Sequence, residues 1–292
     1  LYRHFVWLRD PFAHNHLLDN FLEQTRGSDF AMANGDYSCD SAFIGVSDDA
    51  ACASAMECLG KLRQSFGPRF QAIYGDHEIG KQMMGARSGG LRLASYERAK
   101  LELRLEPVWR VELGRYVLIG VVSSLLALPV YEPETLEHER AGWRELRNAH
   151  LEKIREIFNE VKPGQKILLF CHDPSALPFL RLESAVQKKL YQLERTIIGH
   201  LHSPLVLFKS RMLAGMPGIN FLGHTPRRLS SALRQARHWK PFNVMLCPSL
   251  AGIEMLKDGG FYTVQLDKEG VTPARFELHR FGRKLIQGKR VS

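Results

Sequence analysis

Five apolar runs that are typical of buried β-strands each end in an acidic residue or a histidine, and helical patterns separate several of them. A strand that has only to turn needs a glycine or one Asx residue after it, not a cluster of titratable side chains. Alternating strands and helices indicate an α/β sheet flanked by helices, with functional side chains at the carboxyl ends of the strands. The five ends read Arg9-Asp10, Asn34-Gly35-Asp36, Gly75-Asp76-His77-Glu78, Cys171-His172-Asp173-Pro174 and Gly199-His200-Leu201-His202.

The acids and histidines at these five ends are candidates for one common site. Strand ends of an open sheet meet at one edge, so these side chains are expected to lie close together. Carboxylates and imidazoles together bind Zn, Mn, Fe and similar divalent ions. A lone histidine such as His172 is more often a hydrogen-bonded structural residue. The prediction of a metal site therefore rests on the set of five ends and not on any one of them.

In their order along the chain, these motifs resemble those of the calcineurin-like metallophosphoesterases. The Gly-Asp-His-Glu block at residues 75–78 and the Gly-His-x-His block at residues 199–202 are the specific parts, and the resemblance spans residues 10–202. It implies a four-layered αββα sandwich with two divalent metal ions, Mn, Fe or Zn, at the strand ends. It also implies a metal-dependent hydrolase that cleaves a phosphate ester or pyrophosphate bond with metal-activated water.

The same resemblance implies a role for each motif residue. His77 would bind neither ion and would face the substrate, assisting at the phosphoryl group. Glu78 would orient its loop by hydrogen bonding, the alternative being a salt-bridged surface acid. Asp36 would bridge the two ions, and the other ligands would be Asp10 and His202 for the first ion, and Asp76, His172 and His200 for the second.

Two positions depart from the family pattern. The family's Asp-x-His at the first strand is Asp10-Pro11-Phe12 here, so one histidine ligand is missing. His14 or His16 could replace it, or both could be loop histidines without that role. Asp76 stands where the family has asparagine, which adds a negative charge to the second site. We therefore expect a tightly held second ion and a weaker, exchangeable first ion.

The cysteines and the apolar runs indicate in which cellular compartment the protein is expected. The five cysteines are odd in number and form no Cys-x-x-Cys pair, which favours a reducing compartment over a disulfide framework or a zinc ribbon. The most apolar run, Tyr116 to Val130, is too short for a membrane span and is interpreted as a buried strand that leads into a loop. We expect a cytoplasmic protein, either free or peripheral at the inner face of the membrane.

Basic charge is concentrated in one part of the chain. The net charge is +9, and residues 195–253 contain no Asp or Glu. Such a segment attracts phosphate esters, nucleic acid or an anionic lipid surface, or it is a solvated basic face. We predict a single domain over residues 1–292 with a basic cap-like insertion at 205–240. Within it, residues 224–240 form a predicted amphipathic helix that would lie on a membrane, cover a phosphate-bearing ligand or dock on the core.

Several substrate classes remain open at this point. A phosphate-containing small molecule fits the metal core, and a lipid-linked substrate fits the basic insertion, as in the UDP-diacylglucosamine pyrophosphohydrolases that this arrangement resembles. A nuclease or phosphodiesterase is a further alternative, but no interleaved aromatic residues suggest a stacking platform for nucleic acid. A non-catalytic scaffold is disfavoured because His77 and most ligand positions are retained.

Periodicity predicts the remaining elements. Apolar spacing predicts helices at residues 17–24, 48–66 and 134–160, the last ending before Pro163-Gly164. Residues 108–121 are predicted to form two strands joined at Gly114. The runs that begin at Phe242 and Gly260 are predicted to close the sheet.

Overall fold

A computed structural model of the chain describes residues 10–39, 42–82, 88–200, 236–250 and 259–281. It confirms the mixed α/β class. The α-helices in this part of the chain are α1 (His16–Gln24), α2 (Asp49–Phe66), α3 (Asp76–Ile79), α4 (Leu93–Leu101), α5 (Ser123–Leu126), α6 (Leu128–Tyr131), α7 (Arg140–Glu160), α8 (Leu177–Leu180) and α9 (Ser184–Gln187). The strands are β1 (Ala31–Ala33), β2 (Phe70–Ala72), β3 (Val108–Leu113), β4 (Tyr116–Val121), β5 (Lys166–Cys171), β6 (Leu193–Ile198), β7 (Val244–Leu246), β8 (Gly260–Gln265) and β9 (Arg275–Arg280).

The largest sheet has five strands in the order β3-β4-β5-β6-β7. Strands β3 and β4 form an antiparallel hairpin, which turns at Gly114 as predicted, and β4 to β7 are parallel. Strands β1 and β2 pair in parallel, and β8 and β9 form an antiparallel ribbon. Parallel strands place their carboxyl ends at one edge, and the candidate site residues follow these ends.

Strand β4 is buried on both faces, which explains its unbroken apolar sequence. Val117 and Ile119 pack with Ile154 of α7 on one face of the five-stranded sheet. On the other face, Leu118 belongs to a cluster that also holds Ile73, which follows β2. The far side of β1 and β2 packs against α2 in a third cluster. Helices thus cover the outer side of each of these two sheets.

Three of the predicted elements differ from the structure. The predicted helix 134–160 begins only at Arg140, because Thr135 and Leu136 are extended. Residues after β4 form α5 and α6 instead of a loop. The predicted strand at Gly260 is present, but among the described residues it pairs with β9 and not with the five-stranded sheet.

Most of the basic insertion lies outside the described residues, as does the first predicted strand up to Arg9. The end of the predicted helix 224–240 is described, and Ala236–Phe242 is a 3-10 helix instead of an α-helix. Trp239 is only 3% exposed and packs with Phe242 against the core. Its indole is therefore not available to a membrane surface. None of the helices in the described ranges is both long and apolar enough to cross a bilayer.

Candidate metal centre

Four side chains from four strand ends meet at the edge of the sheets. Asp36 follows β1, Asp76 follows β2, His172 follows β5 and His200 follows β6. One ligand atom from each lies within 4.8 Å of the corresponding atom of every other member. The group is largely shielded from solvent, since the His172 side chain is 1% exposed and the Asp76 side chain 13% exposed.

The closest approaches within this group match the spacing of ligands around one ion. His172 Nε2 lies 3.2 Å from Asp36 Oδ2 and 3.3 Å from Asp76 Oδ1. His200 Nδ1 lies 3.5 Å from Asp76 Oδ1. Ligand atoms at about 2.1 Å from a tetrahedrally coordinated ion are separated by about 3.4 Å. Three of the contacts within the group therefore have the spacing expected of ligands around a single divalent ion.

The hydrogen bonds of His172 leave one nitrogen directed at the centre. Its Nδ1 lies 2.7 Å from the carbonyl oxygen of Asn34, to which a protonated Nδ1 donates. The lone pair of the neutral imidazole is then on Nε2, as metal-binding histidines require. In this neutral form, the buried atoms His172 Nε2 and Asp76 Oδ1 have no hydrogen-bond donor within the described ranges. Buried polar atoms are rarely left in this state, and an ion would satisfy both.

The four groups also shift one another's pKa values. Burial opposes ionisation of Asp36 and Asp76. The pKa of both carboxyls nevertheless lies below the ordinary range, because histidines face Asp36, and Lys81 together with histidines faces Asp76. Burial alone would lower the pKa of His172, but the Asp36 and Asp76 carboxylates raise it well above the usual value. Two carboxylates held ionised at a protected site attract a divalent cation.

Glu78 connects the two acidic loops, as predicted for an orienting residue. Its Oε2 accepts hydrogen bonds from the backbone N–H groups of Asp36 at 2.9 Å and Gly75 at 2.7 Å. Its Oε1 accepts one from the N–H of Tyr37 at 2.8 Å. The side chain is fully buried, and burial together with the Asp36 carboxylate raises the pKa of Glu78 to about 7. The surface-acid alternative is wrong.

The loop after β1 requires glycine where it passes the loop after β2. Gly35 has φ +86°, and a Cβ atom there would lie 2.6 Å from the backbone of Gly75 and 2.8 Å from His172 Nδ1. Asp36 itself has φ +59°, a left-handed conformation that is uncommon for residues other than glycine but that aspartate tolerates better than most. The hydrogen bond from its N–H to Glu78 helps to hold Asp36 in this conformation.

His77 lies beside the four-residue group without belonging to it. Its Nε2 is 3.8 Å from Asp36 Oδ2 and 2.5 Å from Lys81 Nζ, while its backbone N–H donates to Asp36 Oδ1 at 3.1 Å. Burial, and then the positive charge of Lys81, lower the pKa of His77 to about 4. Lys81 Nζ also lies 3.3 Å from Asp76 Oδ2. The outer oxygen of Asp76 thus faces an ammonium group, and its inner oxygen faces the histidines.

Of the two ligands predicted for the first ion alone, only Asp10 lies in the described residues, and it is not part of this group. Asp10 is exposed, and its Oδ1 accepts a hydrogen bond from the N–H of Phe12 at 2.9 Å. His202 lies outside the described residues. His16 is exposed and His14 is half-buried. Burial, and then the charge of the neighbouring His16, lower the pKa of His14 to about 4. Neither histidine belongs to the four-residue group.

Two residues of the site were not singled out from the sequence. Lys81 follows His77 by four residues, a spacing that could have indicated a contact on one side of a helical turn. Asp173 stands inside the Cys-His-Asp-Pro motif, but nothing in that motif indicates which side chains it contacts.

Comparison with known proteins gave no match, neither with a family model nor with a curated protein nor with a solved structure.

Proposed function

We propose that this chain is a metal-dependent phosphohydrolase of the calcineurin-like type, which cleaves a phosphate ester or pyrophosphate bond. The observation that carries the proposal is the convergence of Asp36, Asp76, His172 and His200 with the interatomic spacing of ligands around an ion. These are the residues that the resemblance assigns to the bridging position and to the second ion. Histidine and carboxylate ligands suit Mn, Fe or Zn.

The residues around the four ligands have separate tasks in this proposal. His172 and His200 would hold an ion through one imidazole nitrogen each, and Asp36 would extend the site toward a first ion. His77 and Lys81 lie on one side of the group, where they would face the phosphoryl oxygens of a substrate. Metal ions bound there would supply Lewis acidity and would activate water as the nucleophile.

We also propose that the fold is the four-layered αββα sandwich that the resemblance implies. The supporting observation is the sequence of packed clusters, in which α2 covers β1 and β2, these strands face the five-stranded sheet, and α7 covers its outer side. In such a sandwich the loops after β1, β2, β5 and β6 emerge at the same end. That is where the four candidate ligands lie.

The first test is hydrolysis of bis-p-nitrophenyl phosphate by metal-stripped protein to which Mn²⁺ is added back. We expect turnover that depends on Mn²⁺ and falls at least about 100-fold in Asp36→Asn, which preserves side-chain shape but removes the charge. His172→Ala should show the same loss, while His138→Ala, which changes an exposed histidine, should keep full activity.

Three results would contradict this proposal. Turnover that needs no metal, or that survives Asp36→Asn, would place the chemistry elsewhere. Metal bound without hydrolysis of monoester, diester or pyrophosphate probes would favour a non-catalytic metal-binding scaffold. A lipid-linked substrate and contact with a membrane would depend on residues 205–235, which lie outside the described part of the chain.

A further inference from the structure

Asp173 is a largely buried carboxylate that the predicted ligand set does not include. It directly follows His172 and caps the 3-10 helix Pro174–Ala176, where its Oδ1 accepts a hydrogen bond from Ser175 N–H at 2.7 Å. Its Oδ2 accepts a hydrogen bond from the Tyr131 hydroxyl at 2.9 Å. The side chain is 12% exposed. Two separate donors therefore fix the orientation of this carboxylate.

The imidazole of His200 lies between Asp173 and the metal centre. Its Nδ1 is 3.5 Å from Asp76 Oδ1, inside the four-residue group. Its Nε2 is 3.8 Å from Asp173 Oδ2, on the opposite side of the ring. An imidazole binds a metal ion only through a nitrogen that carries no proton. The 3.8 Å between Nε2 and Asp173 Oδ2 is longer than a hydrogen bond, so the carboxylate acts on Nε2 through its charge. A negative charge facing Nε2 favours the proton there and leaves Nδ1 as the ligand atom.

We propose that Asp173 is a positioning residue for the metal centre, which holds His200 with Nδ1 toward the ion, while Tyr131 holds Asp173. This inference rests on the proposed function, since it presumes that the four-residue group binds a metal. Outer carboxylates of this kind orient the ligating imidazole and increase its basicity. The arrangement also gives His200 the opposite ligand atom from His172, whose Nδ1 faces Asn34 instead.

A purely structural role for Asp173 makes a different prediction. As the capping residue before Ser175, it would be replaceable by asparagine, because both side chains are strong helix caps. The amide nitrogen would then donate to the Tyr131 hydroxyl, which has Ser175 Oγ at 3.1 Å as an alternative acceptor. Asp173→Asn therefore retains the cap and the shape of the side chain while removing the charge that faces His200. An effect on metal affinity without an effect on the stability of the metal-free protein separates the two roles.

The experiment is calorimetric titration of metal-stripped protein with Mn²⁺, combined with thermal unfolding of the metal-free form. We expect Asp173→Asn to weaken the tighter binding step by about 10- to 100-fold, in the range known for outer-shell partners. The unfolding midpoint of the metal-free protein should stay unchanged. Tyr131→Phe should weaken binding in the same direction but less, because it removes one of two donors to Asp173.

Asp19→Asn is the matched control. It removes an aspartate of similar size that pairs with Lys61 on the surface, and it should leave Mn²⁺ affinity unchanged. Unchanged affinity in Asp173→Asn would overturn the positioning role while leaving the proposed function intact, provided that the wild type binds Mn²⁺. A wild type that binds no divalent metal would overturn both.

Discussion

The buried carboxylate of Glu78 accepts hydrogen bonds from three backbone N–H groups in the two loops that carry Asp36 and Asp76. When a buried donor loses its acceptor, the free energy of unfolding falls by about 1–3 kcal/mol. The Glu78 side chain therefore contributes to the stability of both loops. The same bonds hold Asp36 at its positive φ. Glu78 thereby links the stability of the loops to the position of a candidate metal ligand.

We expect Glu78→Ala to lower the free energy of unfolding by about 3 kcal/mol or more, because three backbone donors would lose their acceptor together. The measurement is urea unfolding of the metal-free protein. Glu145→Ala, which changes an exposed glutamate on α7, should alter the value by less than about 0.5 kcal/mol. Equal losses in the two variants would show that the three hydrogen bonds do not support the fold.

The site residues that could be predicted are those whose position depends on local sequence. Asp36, Asp76, His172 and His200 each follow an apolar run, and the common edge of parallel strands brings such ends together. Lys81 and Asp173 depend on partners from other loops, such as Tyr131 for Asp173. Their roles are set by tertiary packing, so the spacing of residues along the chain does not reveal them.

At the scale of elements, α2 agrees with its prediction because its boundaries are local. Asp48 caps the helix by accepting a hydrogen bond from Ala51 N–H at 3.0 Å, and Gly67 follows the last residue with φ +56°. The start of α7, in contrast, depends on contacts with residues that are distant in the sequence. Glu134 and Glu139 lie in the predicted first turns of that helix, but their carboxylates accept hydrogen bonds from Gln82 N–H and Leu93 N–H instead.

We expect Asp48→Ala to destabilise the protein by about 1 kcal/mol, since it leaves an N-terminal N–H of α2 without its cap. Asp49→Ala is the comparison at the next position. Its carboxylate pairs with Arg98 at 2.7 Å but is 92% exposed, and such pairs contribute little, at most about 1 kcal/mol and often nothing measurable. Urea unfolding compares the two. A larger loss for Asp49→Ala would contradict the capping role.

At the scale of the whole molecule, the β8–β9 ribbon was the least predictable part. Strand β9 alternates apolar and polar residues over only six positions, and Leu278 is 37% exposed. Phe276 nonetheless packs against the cluster between the sheets, and Arg115 N–H in the β3–β4 turn donates to Lys268 O at 2.8 Å. The hydrogen bond between Arg115 and Lys268 joins residues more than 150 positions apart, which no local pattern specifies.

His150 joins two layers of the fold. It lies on α7, is 4% exposed, and its Nε2 accepts a hydrogen bond at 3.2 Å from the N–H of Val122, just after β4. This contact requires a neutral imidazole, since a protonated ring has no acceptor nitrogen. Burial is the main cause that lowers the pKa of His150 to about 3.

The titration of His150 should make the whole fold sensitive to acid. The group is neutral in the folded state down to about pH 3 but protonates near pH 6.5 when unfolded, so stability is complete above pH 6.5 and falls as the pH is lowered. The slope contributed by one such group is about 1.4 kcal/mol per pH unit. In urea unfolding between pH 7 and 4.5, His150→Gln should reduce the wild-type slope by about this amount, because glutamine can still accept from Val122 without titrating. The contributions of His14 and His77, whose pKa values are also lowered, should remain in the variant. His138→Gln, at an exposed histidine, should keep the wild-type slope. A wild-type slope that persists in His150→Gln would assign the acid sensitivity to other groups.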